Sequence, residues 1–133
     1  MQVKIDTKER FHVIVLNEPI LSANIAAELT QLTSAYLENE VKNVVLKLPS
    51  TTAVEEKGAE ELVRLQQNFY ENNASFVICE LQVDIEEKLD EMELLEIMNV
   101  TKTESEAWDI VQMEEIEREL MDDADIDFNK QSE

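Results

Sequence analysis

The chain is 133 residues long, enough for one domain to bury a core without disulfides or metals. Apolar residues make up 44% of it, which excludes the low-hydrophobicity composition of a disordered chain despite a net charge of -20. No run approaches the roughly 18 consecutive apolar residues of a membrane span, and the N-terminus lacks the basic-then-apolar order of a signal peptide, so the expected location is the cytoplasm.

The charge is uneven: residues 1–83 hold 12 acids and 7 bases, net -5, whereas residues 84–133 hold 19 acids and 4 bases, net -15. Such a field repels phosphate backbones and anionic headgroups. It argues against nucleic acid or membrane surfaces as direct partners and favours a basic protein patch, and no direct membrane insertion is expected.

In chain order, Val3-Lys4-Ile5 reads as the hairpin partner of Phe11-His12-Val13-Ile14-Val15-Leu16, a β-branched run closed by Asn17-Glu18-Pro19. Ser22 is a plausible N-cap for a helix with Ile25, Leu29, Leu32 and Tyr36 on one face, ending near Glu38. Val44 to Leu48 is a second strand, and Pro49-Ser50-Thr51-Thr52 leads from it into a helix with Ala59, Leu62, Val63, Gln66 and Phe69 on one face. Asn72-Asn73 breaks that helix. Ser75 to Cys79 follows as an uncharged core strand, the pattern of a strand covered on both faces. Ile85, Leu89 and Met92 mark a third helix, and Met98-Asn99-Val100 a brief edge strand. Thr103-x-x-Glu106 is a capping box opening a last helix with Ala107, Ile110, Val111 and Leu120. From residue 121 onward periodicity is lost, so residues 1–120 are expected to form the domain and 121–133 a disordered acidic tail. The alternation of elements implies a mainly parallel sheet with right-handed crossovers. Phe11, Val13, Val15, Val45, Leu46, Leu62, Val63, Phe76 and Ile78 are expected to be buried or half-buried.

Catalytic chemistry is thinly represented. The single histidine, His12, lies inside a strand with no second ligand at metal spacing, and reads as structural. One glycine, Gly58, excludes a Gly-rich phosphate cradle. Cys79 is the only cysteine and sits in an apolar run, as a small buried hydrophobe would. Adjacent acids such as Glu55-Glu56 and Glu60-Glu61 are common among 31 acidic residues and do not single out a carboxylate catalyst. No catalytic residue, metal or cofactor is expected.

The stretch from Val44 through Pro49-Ser50-Thr51-Thr52 to Glu55-Glu56-Lys57-Gly58 resembles the junction of the STAS domain, the fold of anti-sigma factor antagonists and sulfate transporter tails. Phe11 to Leu16 followed by Leu21 and Ala23, the run Phe76 to Leu81, and Thr103-x-x-Glu106-Ala107 extend the resemblance over about residues 2–118. It implies an α/β fold of the STAS-like type, with a four- to five-stranded mainly parallel or mixed sheet and about four helices packed mainly on one face. In that family an apolar strand leads into Asp-Ser-Ser-Gly at the start of the second helix. Residue by residue, Glu55 stands at the aspartate, Glu56 at the serine a partner kinase phosphorylates, Lys57 at the second serine and Gly58 at the glycine. The phosphoacceptor is therefore replaced, leaving Ser50, Thr51 and Thr52 as the loop's remaining hydroxyls. Lys47 also stands where an acidic residue is common.

The resemblance implies a non-catalytic protein-binding module of a bacterial regulatory system. Thr51, Thr52, Glu55, Glu56, Lys57 and Gly58 would form its partner surface, and an anti-sigma factor, switch kinase or scaffold would be the partner, with a homo-oligomer compatible. A second implied role is a structural STAS-like subunit of a membrane lipid transport complex. Because the tail's apolar content is too low to offset an ordering entropy of roughly 1–2 kcal/mol per residue, truncation after Leu120 should leave the melting temperature within a few degrees. A large drop in a thermal melt would mean that residues 121–133 pack on the domain.

Overall fold

The computed structural model describes the backbone of residues 1–132 and the side chains of residues 1–121. In order, the elements are β1 (Val3–Thr7), β2 (Phe11–Leu16), β3 (Ile20–Leu21), α1 (Ala23–Ser34), β4 (Asn43–Lys47), β5 (Ala53–Val54), α2 (Glu56–Glu71), β6 (Phe76–Cys79), α3 (Val83–Glu91), β7 (Val100–Thr101) and α4 (Glu104–Ser132). The main sheet has five strands ordered β1-β2-β4-β6-β7, with β1 antiparallel to β2 and the other pairs parallel. The edge strand expected from Met98 begins at Val100, because Met98 drops into the core instead of joining the ladder. Of the tail expected at 121–133, only Met121 has a described side chain, and the backbone of α4 runs on to Ser132.

Period two along the central strands explains why both faces are apolar. Val13, Val45 and Val77 are register partners on one face, and Ile14, Leu46 and Ile78 on the other. The second set joins Leu29, Leu62, Leu65, Phe69, Ile85 and Leu89, so α1, α2 and α3 pack on that face. The first set meets Ala107 and Val111 of α4, with Phe11 stacked on Trp108 at 5.1 Å between ring centroids. Three helices thus cover one face and α4 the other. The residues expected in the core are all buried or half-buried.

Helix ends follow local chemistry. The Ser22 hydroxyl accepts from the Ile25 amide at 3.2 Å, capping α1 as expected. Thr103 caps α4 by accepting from the Glu106 amide, but its hydroxyl also donates to the Glu106 carboxylate, so the reciprocal half of the capping box is absent. At the end of α2, Asn73 takes a left-handed conformation (φ 60°) while the Ala74 and Asn73 amides donate to the Phe69 and Tyr70 carbonyls. Glu93 (φ 61°) closes α3 in the same way, with Leu94 and Glu93 donating to Leu89 and Asp90. Both are Schellman motifs with asparagine or glutamate where glycine is usual.

The one glycine is used where α2 crosses the start of α1. A Cβ on Gly58 would stand 2.6 Å from the Leu21 carbonyl oxygen and 3.0 Å from the Ser22 carbonyl. Both obstacles are backbone. His12 is buried and structural: Nε2 donates to the Val41 carbonyl at 2.8 Å, which leaves Nδ1 for the Thr7 hydroxyl at 2.9 Å, and the ring stacks on Tyr36.

Gly58→Ala gains about 1 kcal/mol of helix propensity but forces backbone apart, so a net loss of about 1–2 kcal/mol is expected in denaturant melts. Lys57→Ala, on the exposed side of the same turn, should stay within about 0.5 kcal/mol. A Gly58→Ala protein as stable as wild type would show that α1 and α2 slide apart freely.

The Cys79 thiol is pushed up to about 12, first by burial and next by the Glu80 carboxylate. A raised value means the folded state keeps its proton where the unfolded thiol, near about 8.5, has lost it. Stability from this group is therefore complete below about pH 8.5 and declines as pH rises toward 12. At pH 8 iodoacetamide should label Cys79 only in denaturant. Rapid labelling of the native protein would contradict the burial.

Candidate functional site

The loop between β4 and α2 is held by backbone, not by side-chain packing alone. Pro49 ends β4's extension and directs residues 50–55 along the segment before α1. There the Thr52 and Ala53 amides donate to the Pro19 carbonyl at 2.9 and 3.1 Å, and the Glu55 amide to the Leu21 carbonyl at 2.9 Å. The result is the two-stranded parallel ladder β3–β5, pairing Ile20 with Ala53 and Leu21 with Val54. Thr51 is fully buried, and its hydroxyl donates to the Glu18 carbonyl at 2.8 Å. That hydroxyl anchors the loop and is closed to a phosphate donor. Ser50 and Thr52 are exposed.

Glu55 occupies the N-cap position of α2 but does not cap it. Its carboxylate crosses to α1 and accepts from the Ala23 amide at 3.1 Å. Ser22 and Glu55 together thereby satisfy two of the amides that a helix start leaves free, and the carboxylate lies at the positive end of the α1 dipole. Glu56 is the first residue of α2 and points to solvent, with Lys57 exposed beside it. Gly58 is buried against Leu21 and Ser22.

The six residues expected at the site are thus brought together in two layers. Thr52, Glu55, Glu56 and Lys57 are on the surface, whereas Thr51 and Gly58 lie beneath and set its shape. The sequence reading missed three contributors. Ile20 (49% exposed) sits beside Ala53, and Val83 (68% exposed) opens α3 next to the loop, where Gln82 Nε2 donates to the Pro49 carbonyl at 3.0 Å. These give an otherwise acidic surface an apolar margin. The third is Glu55 as a cap for its neighbour, legible only once α1 and α2 are known to start side by side.

Lys47, the last residue of β4, is half-buried, with its ammonium 2.8 Å from Glu104 and 3.0 Å from Glu80. The Glu104 hydrogen bond is the main reason its pKa is raised, with burial opposing and Glu80 assisting. The ion triad joins β4, the turn after β6 and the start of α4.

Among the described residues no group of three or more His, Cys, Asp or Glu is placed to hold a metal, and no buried side-chain polar atom lacks a hydrogen-bond partner. A concavity of about 740 Å³ lies at the opposite end of the strands, where Arg10, Lys42 and Arg118 are balanced by Glu9, Glu40, Glu115 and Glu119. No helix among the described residues is long and apolar enough to cross a membrane.

Among curated proteins no match is found. Solved structures do match. TM1081 of Thermotoga maritima superposes with a TM-score of 0.72 at 15% identity, over 84% of this chain and 90% of that one. A serine-to-glutamate variant of RsbS from Moorella thermoacetica gives 0.68 at 17%, over 84% and 96%. The anti-sigma factor antagonist SpoIIAA in its unphosphorylated form gives 0.64 at 13%, over 84% and 96%. At these identities the likeness establishes the fold. The family profile described as the STAS domain matches residues 2–107, from β1 to the first turn of α4, and by that match the chain belongs to the STAS-domain family.

Proposed function

We propose that the protein is a non-catalytic regulatory module of the anti-sigma factor antagonist type, acting in the cytoplasm by binding a protein partner through the surface around Thr52, Glu55, Glu56 and Lys57. The observation that carries this reading is Glu56: it is exposed on the first turn of α2, where the family resemblance puts the phosphorylated serine, on a loop pinned by backbone hydrogen bonds. A rigid, exposed and chemically inert surface suits recognition better than turnover. The shared fold with SpoIIAA, an anti-sigma factor antagonist, supports an anti-sigma factor as the partner, with a switch kinase or scaffold as the alternatives the family resemblance implies.

Phosphorylation adds about 1.5–2 negative charges to a serine, and Glu56 carries about one permanently. In this reading the module is fixed in a state resembling the phosphorylated one, and the switch is absent. Glu56 as no more than an acid favoured at a helix start is the competing account.

A structural subunit docked permanently on a larger assembly, such as a lipid transport complex, is the second reading. Such a subunit should present an apolar patch on one helix. The exposed Met113, Ile116 and Leu120 of α4 favour it.

The test is the dissociation constant of the partner captured from the native cytoplasm, measured for wild type, Glu56→Ser and Glu56→Gln with thermal melts alongside. If the carboxylate stands in for a phosphate, both variants should fold normally and change affinity about tenfold or more. Equal constants for all three would remove the phosphate-mimic reading and leave the binding module.

A further inference from the structure

The middle of α4 is built inside out. Its sheet-facing side there carries carboxylates: Glu114 accepts from the Ser75 hydroxyl at 2.6 Å and from Asn99 at 3.1 Å, and Glu115 accepts from Asn43 at 2.8 Å and pairs with Arg10 at 3.0 Å. These bonds fix the rotation of the helix. The opposite side then sends Met113, Ile116 and Leu120 into solvent, exposed by 55%, 55% and 62%. At about 100° per residue the three fall within one narrow stripe, set away from the buried Ala107 and Val111. An exposed stripe of this kind is not the bare side of an ordinary amphipathic helix, whose outer residues are polar.

We infer that this stripe is the seat of a basic amphipathic helix from a partner protein. Spacings of three and four residues over two turns match the ridges and grooves of a packed helix pair. The charge around the stripe selects the sign of the partner. Glu106, Asp109, Glu117 and Glu119 are exposed on α4, and its only base up to Met121, Arg118, is turned inward to the Ser75 hydroxyl at 3.4 Å. A second copy of this chain would bring two such acidic rows together, and an anionic membrane or nucleic acid would be repelled likewise. This surface lies on α4, apart from the loop bearing Glu56, and the inference does not rest on the regulatory reading.

The probe is a labelled synthetic helix with leucine at i, i+3, i+4 and i+7 and lysine at the outward positions, titrated with the full chain by fluorescence anisotropy. A scrambled isomer of the same composition and a version with glutamine for lysine serve as comparisons. The amphipathic basic peptide should bind at least tenfold more tightly than either, and added salt should weaken it. Ile116→Gln with Leu120→Gln, and Met113→Gln separately, should each reduce affinity, the double change by tenfold or more, with the melting temperature unchanged. Glu56→Ser should bind the peptide as wild type does, which separates this surface from the loop. Equal binding of the scrambled peptide would overturn the inference, as would indifference to all the stripe substitutions. So would a wild-type dimer in sedimentation that the double substitution dissolves, or binding to phosphatidylcholine–phosphatidylglycerol vesicles.

Discussion

The close approach of α2 to the start of α1 is the constraint on which the rest of the site depends. It exists because Gly58 has no side chain, so that the Leu21 and Ser22 carbonyls can press against the helix. Only with that contact made does the loop before α2 lie alongside Pro19 to Leu21, where it exchanges its hydrogen bonds. A two-residue ladder such as β3–β5 is not stable by itself. Each of its bonds contributes about 0.5–1.5 kcal/mol net. The helix pair beneath holds it in register, and Leu21 and Val54, both buried, tie it to the core. The exposed side chains of this candidate surface therefore stand on a platform whose shape is decided by Gly58, which has none.

α4 is secured at both ends of the sheet by charge. At the strand ends near the loop Lys47 bridges to Glu104, and at the strand starts Glu114 and Glu115 take donors from Ser75, Asn43, Asn99 and Arg10. Partly buried carboxylates are tolerated because each has donors in place, and removing one partner would leave an uncompensated charge. Lys47 illustrates how the family pattern is altered without loss of fold. Where the resemblance has an acidic residue, this chain has a base, and two acids from separate elements have gathered around it.

Much of this was legible from the chain. The central strands Phe11 to Leu16, Val44 to Leu48 and Phe76 to Cys79 declare themselves because a strand covered on both faces is apolar at nearly every position, His12 and Lys47 being the exceptions. α1 and α2 follow from spacing, and Asn72-Asn73 from its turn chemistry. The β3–β5 ladder was not legible. Two residues such as Ile20-Leu21 or Ala53-Val54 have no measurable period, and their pairing depends on backbone groups that every sequence carries. Likewise Thr51 reads as a surface hydroxyl among Ser50, Thr51 and Thr52, and only the fold shows that it points inward to Glu18. The family resemblance singled out Thr51 to Gly58 as one candidate surface, but it could not separate the exposed residues from those beneath them. In α4 the pattern misleads for another reason: Glu114 and Glu115 are inside because Ser75, Asn43 and Asn99 offer donors there, and pattern reading assigns acids to solvent.

The total charge narrows how Glu56 can act. Replacing it by serine moves the net charge from -20 to -19, since one of the 31 acids is lost. Over a Debye length of about 8 Å at physiological salt that change is small beside the field of the acids around it, so it should hardly alter how a partner is steered toward the surface. At contact the balance differs. A unit charge 4 Å from another across a partly dry interface interacts by about 4 kcal/mol before desolvation is counted. Any discrimination exercised at this position must arise after encounter, in fit and in the lifetime of the complex, and in association rate only weakly. A permanent carboxylate can reproduce the contact part of a phosphate's effect while leaving the long-range part, already dominated by the acidic C-terminal half, almost as it was.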